Sequence, residues 1–309
     1  MTDSHLHLYP HQLPGDFHPD VPPDGPYPLE RVAEFVTSAA MRGVEGLAFT
    51  EHFYRFVESA DVLGAFWEQE PSHLAERTRR DVLADRRLSL DRYVDVILRA
   101  REAGMPVRLG VEVDYFPETI GDVVAFLETY PIDVLVGSVH WIGGFGFDKG
   151  HSRDEWERRG HRAVYEQYFS LVAMLAASGL VDVIAHPDRV KMNGVRLSSE
   201  PVDLYKGLVE AAVSGDVSVE INSGGLRHEV GEIYPTERLL EMFSGAGLSL
   251  TMASDAHLPE YAGWMFDHLS LLAIEAGFTE VARYEGRRRI LEPLVRPDGN
   301  AGSGRLTAR

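Results

Sequence analysis

Seven short apolar runs, rich in β-branched residues and separated by stretches of helical periodicity, restrict this chain to few architectures. The runs cover residues 3–8, 46–52, 107–115, 133–141, 182–186, 217–222 and 248–253. Between them, residues 29–42, 90–103, 120–130, 161–177, 202–213 and 236–246 repeat apolar side chains three and four apart, the spacing of an amphipathic helix. In 29–42 the stripe is Val32, Phe35, Val36 and Ala39. Strand followed by helix, repeated, predicts parallel strands joined by crossover helices. Uninterrupted runs such as Val134-Leu135-Val136 and Val183-Ile184-Ala185 predict a sheet covered on both faces. Glycines at 43, 104, 179, 215 and 247 follow the helical stretches, where left-handed helix ends are expected. The fold class that results is α/β: a distorted (β/α)7 barrel, TIM-barrel-like, in a single domain over residues 1–295. A doubly wound open sheet is the main alternative.

Two segments depart from the alternation. Residues 53–89 are long, charged and aromatic, and are expected to form an insertion of helices near the barrel mouth. It is either a solvated decoration or a substrate lid. Residues 296–309 (RPDGNAGSGRLTAR) are polar and Gly/Ser-rich, which predicts a disordered tail. The absence of cysteine excludes disulfides, thiolate metal sites and a thiol nucleophile. No basic segment followed by an apolar run opens the chain, and no apolar run reaches the roughly 18 residues of a membrane span. A cytoplasmic location is the default expectation. The net charge of −18 argues against nucleic acid or an anionic membrane as partner and leaves a small molecule.

The chemistry lies where the strands end. The first run holds His5-x-His7, the second ends Thr50-Glu51-His52, and the third carries Glu112 and Asp114. The fourth ends Ser138-Val139-His140, the fifth Ala185-His186-Pro187-Asp188, the sixth Glu220 and Asn222, and the seventh Ser254-Asp255-Ala256-His257. Residues two apart in a strand project together, and the C-terminal rim of a parallel barrel is where active sites form. Any one of the 13 histidines taken alone reads as an ordinary core or surface residue, as His73, His151, His161, His228 and His268 do. Rim after rim of imidazole and carboxylate is costly to bury unless ligated, and predicts a metal site. The set is too large for one tetrahedral zinc, so two or three divalent ions (Zn, Fe or Mn) are expected. Such a centre attracts a phosphate dianion and activates water.

These residues resemble the polymerase and histidinol phosphatase (PHP) family, within it the monofunctional histidinol-phosphate phosphatase branch. The resemblance runs through DSHLH (3–7), FTEH (49–52), GVEVDY (110–115), VGSVHWIGG (136–144), DVIAHPD (182–188), EINSGGLR (220–227), IYP (233–235) and ASDAH (253–257). It implies a trinuclear centre. His5, His7, Glu112 and Asp255 would hold the first ion. Glu112 would bridge to a second held with His140 and His186. His52 and His257 would hold the third, joined by His11, with His18 in reserve because the loop spacing departs from the family's. It also implies hydrolysis of L-histidinol phosphate by a metal-bridging hydroxide, with Glu112, His140, Asp255 and Arg227 as the catalytic set. Arg227 and Lys191 are candidates to bind substrate phosphate. Glu220, Asp188, Asp148 and Glu51 are candidates for its cationic groups. Another small phosphoester, a nucleotide or an oligonucleotide end is the alternative substrate. An amidohydrolase-type barrel also begins with His-x-His, but often carries a bridging lysine where this chain has His140. A metal-stabilised module without catalysis is a third reading, against which the near-complete ligand set stands.

Overall fold

A computed structural model describes residues 1–11, 27–149 and 152–297. His18, His151 and residues 298–309 lie outside the described residues.

The strands are β1 (Thr2–Leu6), β2 (Gly46–His52), β3 (Val107–Asp114), β4 (Val134–Ser138), β5 (Trp141–Ile142), β6 (Phe145–Gly146), β7 (Val183–Ile184), β8 (Ser218–Asn222), β9 (Leu250–Ala253), β10 (Glu280–Glu285) and β11 (Arg288–Pro293). Helices are α1 (Leu29–Ala40), α2 (Ala60–Leu63), α3 (Ser72–Asp85), α4 (Leu90–Glu102), α5 (Ile120–Leu127), α6 (Arg153–Arg159), α7 (His161–Ser178), α8 (Val202–Ser214), α9 (Glu237–Gly245) and α10 (Phe266–Glu275). Seven strands form one parallel sheet in the order β1-β2-β3-β4-β7-β8-β9. The expected run 133–141 divides, because the chain leaves the sheet after Ser138 to make the small β5–β6 hairpin.

The sheet closes on itself, which sets aside the open doubly wound alternative. Leu6 pairs with Ala256 in a parallel bridge. The His7 amide donates to the Ala256 carbonyl (2.7 Å) and the Asp255 amide to the His5 carbonyl (2.9 Å). Buried Asp3 staples the same seam, accepting from the amides of Ser254 (3.0 Å) and Gly263 (2.9 Å). The result is a nearly closed, TIM-like barrel of seven strands.

Strand alternation divides the core in two. Outward residues Leu47, Phe49, Leu109, Val111, Leu135, Val219, Ile221 and Leu250 pack beneath the helices in the main cluster. Inward residues Ala48, Val134, Val136, Val183 and Ala185 form a smaller one with Ala282 and Tyr284. The bore is narrow: a Cβ on Gly110 would sit 2.7 Å from both Thr50 Cγ2 and Val134 Cγ1. The antiparallel β10–β11 hairpin closes the N-terminal end of this bore. Tyr284 donates to the Asp182 carbonyl (2.9 Å) and lies 2.8 Å from the Ser218 hydroxyl, and Arg108 pairs with Glu285 (2.7 Å). The alternation reading did not anticipate this hairpin.

Local signals behave as their chemistry requires. Ser89 and Thr236 cap α4 and α9 by accepting from the amides of Arg92 and Leu239 (3.4 Å each). Gly179 ends α7 in the left-handed conformation, φ 66°. Gly215 departs from expectation: its φ is −86°, and the left-handed residue is Asp216 (φ 51°). Glycine is required at 215 by close approach instead, since a Cβ there would lie 1.9 Å from the Ala176 carbonyl oxygen. Among the described residues no helix is long and apolar enough to cross a membrane.

Candidate metal centre

Inward alternation along β3 puts Glu112 and Asp114 on the same face as Gly110, above the tight bore. Glu112 is fully buried and sits at the middle of a ring of imidazoles. Its Oε2 lies 2.6 Å from His52 Nδ1, 3.3 Å from His5 Nε2 and 3.5 Å from His7 Nε2. Its Oε1 lies 3.2 Å from His186 Nε2 and 3.7 Å from His140 Nε2. Asp255 Oδ1 approaches His7 Nε2 at 3.3 Å. His257 and His11 complete the cluster on the outer side: His257 stacks on His7 (ring centroids 4.1 Å), and His11 Nε2 lies 3.1 Å from His52 Nε2. Six strands, β1, β2, β3, β4, β7 and β9, with the segments that follow them, therefore bring all nine candidate ligands to one rim.

Two ligands reach the rim only through unusual backbone. His186 has φ 26° and Asp255 φ 53°, left-handed values that cost a non-glycine residue about 1–3 kcal/mol. Both sit just past a strand end, where the chain turns sharply so that the side chain faces inward. Glu220 holds the first turn in place, accepting from the His186 amide (3.0 Å) while its other oxygen meets His5 Nδ1 (2.9 Å).

The residues fit a group of divalent ions. Four sets of three, His5–His7–Asp255, His5–Glu112–His186, His52–Glu112–His140 and His7–His52–His257, each have ligand atoms within 4.8 Å of one another. His5, His7, His52 and Glu112 each belong to more than one set, so shared ligands describe the cluster better than separate ones. His7 stands with the expected third set as well as the first. Buried atoms His140 Nε2 and His257 Nε2 have no hydrogen-bond partner, a costly state for polar groups that a cation would relieve. Four outer nitrogens face a carboxylate: His5 Nδ1 with Glu220, His140 Nδ1 with Asp114 (2.7 Å), His11 Nδ1 with Asp85 (2.8 Å) and His7 Nδ1 with Glu51 (3.4 Å); that of His186 does not. This is the outer arrangement that orients metal-bound histidines. Burial holds the imidazoles of His52 and His186 below their usual pKa. At Glu112 burial opposes ionisation but the surrounding imidazoles outweigh it, keeping the carboxyl well below its usual range. At His5 and His7 burial opposes protonation, but the neighbouring carboxylates outweigh it and raise the imidazole pKa, so an ion bound there would displace a proton.

The candidate substrate residues fall in different places. Arg227 hooks one edge of its guanidinium onto the Ser254 and Asp255 carbonyls (2.9 and 2.8 Å), beneath Tyr261 and Trp264, while its buried Nη1 has no partner. Lys191 is buried and paired with Asp188 (2.8 Å), and Tyr234 packs against both Lys191 and His186. Of the carboxylates considered for a cationic substrate, each faces a group of the chain itself. Glu220 meets His5, Glu51 meets Arg55 (2.8 Å), Asp188 meets Lys191, and Asp148 meets Arg189 (3.1 Å). Arg189 is a residue the sequence reading passed over. It is buried, and its Nη1 donates to Asp255 Oδ2 at 3.4 Å. Its position immediately after His-Pro-Asp was the one available signal.

The PHP domain matches residues 28–224, and the chain belongs to that family. A relative in Deinococcus radiodurans, a probable histidinol-phosphatase, is 31% identical over 237 residues, covering 75% of this chain and 82% of that protein. The histidinol-phosphatase of Bacillus subtilis is 25% identical over 265 residues, covering 77% and 91%. Among solved structures, the histidinol phosphate phosphatase of Lactococcus lactis, in complex with zinc, L-histidinol and phosphate, superposes with a TM-score of 0.68 at 20% identity, covering 94% of this chain and 98% of that one. That likeness establishes the shared fold.

Proposed function

We propose that this single-domain chain is a metal-dependent phosphomonoesterase that hydrolyses L-histidinol phosphate to L-histidinol and phosphate, acting in the cytoplasm on a small molecule. The observation that carries the reading is the ring of imidazoles around Glu112 at the barrel mouth, in a chain whose relatives of similar length are named histidinol-phosphatases. His5, His7, Glu112 and Asp255 would hold one ion, Glu112 with His140 and His186 a second, and His52, His257 and His11 a third. Zinc, the metal of the Lactococcus lactis structure, suits this imidazole-rich set. When bound, such ions bring the pKa of water toward neutrality and offset the charge of a phosphate dianion.

The chain supplies the rest. Glu112 would contribute negative charge between the ions, and the outer carboxylates of Glu220, Asp114 and Asp85 orient the imidazoles of His5, His140 and His11. Arg227 offers its unpartnered Nη1 to a phosphate oxygen while two carbonyls fix the rest of the group, so little side-chain freedom is lost on binding. Arg189 holds Asp255 from the other side. Positioning and charge complementarity account for most of the rate in such a site.

The test is phosphate release from histidinol phosphate, a nucleoside monophosphate and a phosphodiester, with ion content measured on the same sample. Histidinol phosphate is expected to have the highest kcat/KM. Faster turnover of the nucleotide or the diester would overturn the substrate assignment.

A further inference from the structure

His11 lies farther beyond a strand end than the other ligands of the centre. It lies five residues past the end of β1, and its side chain is 34% exposed. What fixes it comes from the 53–89 insertion. Asp85, the last residue of α3, accepts from His11 Nδ1 at 2.8 Å. Tyr54 donates its hydroxyl to the same carboxylate (3.1 Å) and lies 3.3 Å from the imidazole. Arg55, fully buried, then joins this carboxylate to the loop. Its Nη1 donates to the Tyr9 carbonyl and to Glu51 Oε1 (2.8 Å each), its Nη2 to the Pro10 carbonyl (2.7 Å), and its Nε faces Asp85 Oδ1 at 3.6 Å. Glu51 in turn touches His7 and accepts from the His52 amide (3.1 Å).

We propose that Arg55 and Asp85 form a buried clamp through which the insertion sets the position of His11 and, with it, the occupancy of the ion site shared by His11, His52 and His257. The proposal rests on the metal-centre reading given above. One guanidinium bridges two carbonyls of the loop that leads to His11 and two carboxylates that lean on ligand imidazoles. A lysine, a point charge with one nitrogen, cannot make those bonds together. Asp85 accepts a hydrogen bond from Nδ1–H of His11, which leaves the Nε2 lone pair directed at His52 and into the cluster. Neither residue touches the space between the ligands, so both are positioning residues. The insertion is on this account neither a decoration nor a lid; it is the outer support of one ion site.

The experiment measures ion content and ion affinity on the purified full chain, by elemental analysis and by competition with a chromophoric chelator for Zn²⁺. Asp85→Asn and His11→Ala are each expected to lose the same single ion equivalent, or to bind it about 10–100-fold more weakly, with the remaining ions held as in the wild type. Arg55→Lys should shift the same site in the same direction; Asp85→Asn stands alone as the test should Arg55→Lys fail to fold. An Asp85→Asn protein that binds every ion with wild-type affinity overturns the clamp. Glu112→Gln separates the two readings. If it strips ions while Asp85→Asn does not, only the clamp fails. If the wild type itself holds no stoichiometric Zn²⁺, or Glu112→Gln leaves its content unchanged, the metal centre fails and the clamp with it.

Discussion

Glu112 has imidazole nitrogens of five histidines within 3.7 Å of its two oxygens, and no other carboxylate of the cluster can take its place. Glu112→Gln keeps the shape and removes the charge. Turnover is expected to fall by more than the 10–100-fold typical of changes to outer-sphere partners, and His140→Ala and Asp255→Ala to abolish it in soluble protein. Near-normal phosphate release from the last two would refute the centre. Arg227→Ala removes a charge-assisted hydrogen bond worth about 1.5–3 kcal/mol, so kcat/KM for the phosphoester should drop about 10–100-fold with an unchanged circular dichroism spectrum. An unchanged kcat/KM would reduce Arg227 to a support for the Ser254–Asp255 carbonyls. The residues the sequence made legible here are those whose strand-end position and period-two spacing speak for themselves, such as His5, His7 and Glu112. The residues that steer them were legible as strand-end carboxylates, such as Glu220 and Asp114, but not in that role, and Asp85 was not legible at all. His5 meets Glu220 across 215 positions and His11 meets Asp85 across 74, and no local pattern records a contact of that range.

At the level of elements, periodicity identified the seven barrel strands and most of the helices, because a two-sided buried strand and an amphipathic helix each leave a clear signature. The β10–β11 hairpin left none. Its outer strand is largely exposed and arginine-rich, and its inner strand buries only Val281, Ala282 and Tyr284. Tyr284 nonetheless anchors it, through burial and its bonds to Asp182 and Ser218. Tyr284→Ala should cost about 3–5 kcal/mol, the range for a large buried aromatic, read as a lower denaturant midpoint with ion content retained at 25 °C. A midpoint within error of wild type would show the hairpin to be dispensable.

For the whole molecule, stability is tied to charge pairing near the rim. Asp148 is buried; burial opposes its ionisation, but Lys149 and Arg189 outweigh that and hold its pKa at about 2, against 3.8 for an unperturbed group. A depressed carboxyl pKa stabilises the folded state above the unfolded value and loses that contribution as pH falls toward the folded one. The contribution is about 2 kcal/mol, present above about pH 4 and fading toward pH 2. The melting temperatures of wild type and Asp148→Asn should therefore differ at about pH 6 and draw together only as the pH falls to about 2. A gap that stays constant over that interval would show that Asp148 acts through shape alone. The hairpin across the bottom of the barrel has a kinetic corollary. Among the described residues, Val134, Val183 and Tyr284 pack the bore below the rim, so the centre faces away from the hairpin. Inorganic phosphate left there after turnover would face the same ligands and the same Arg227 edge as the phosphate of the next substrate, so accumulated product should act as a competitive inhibitor.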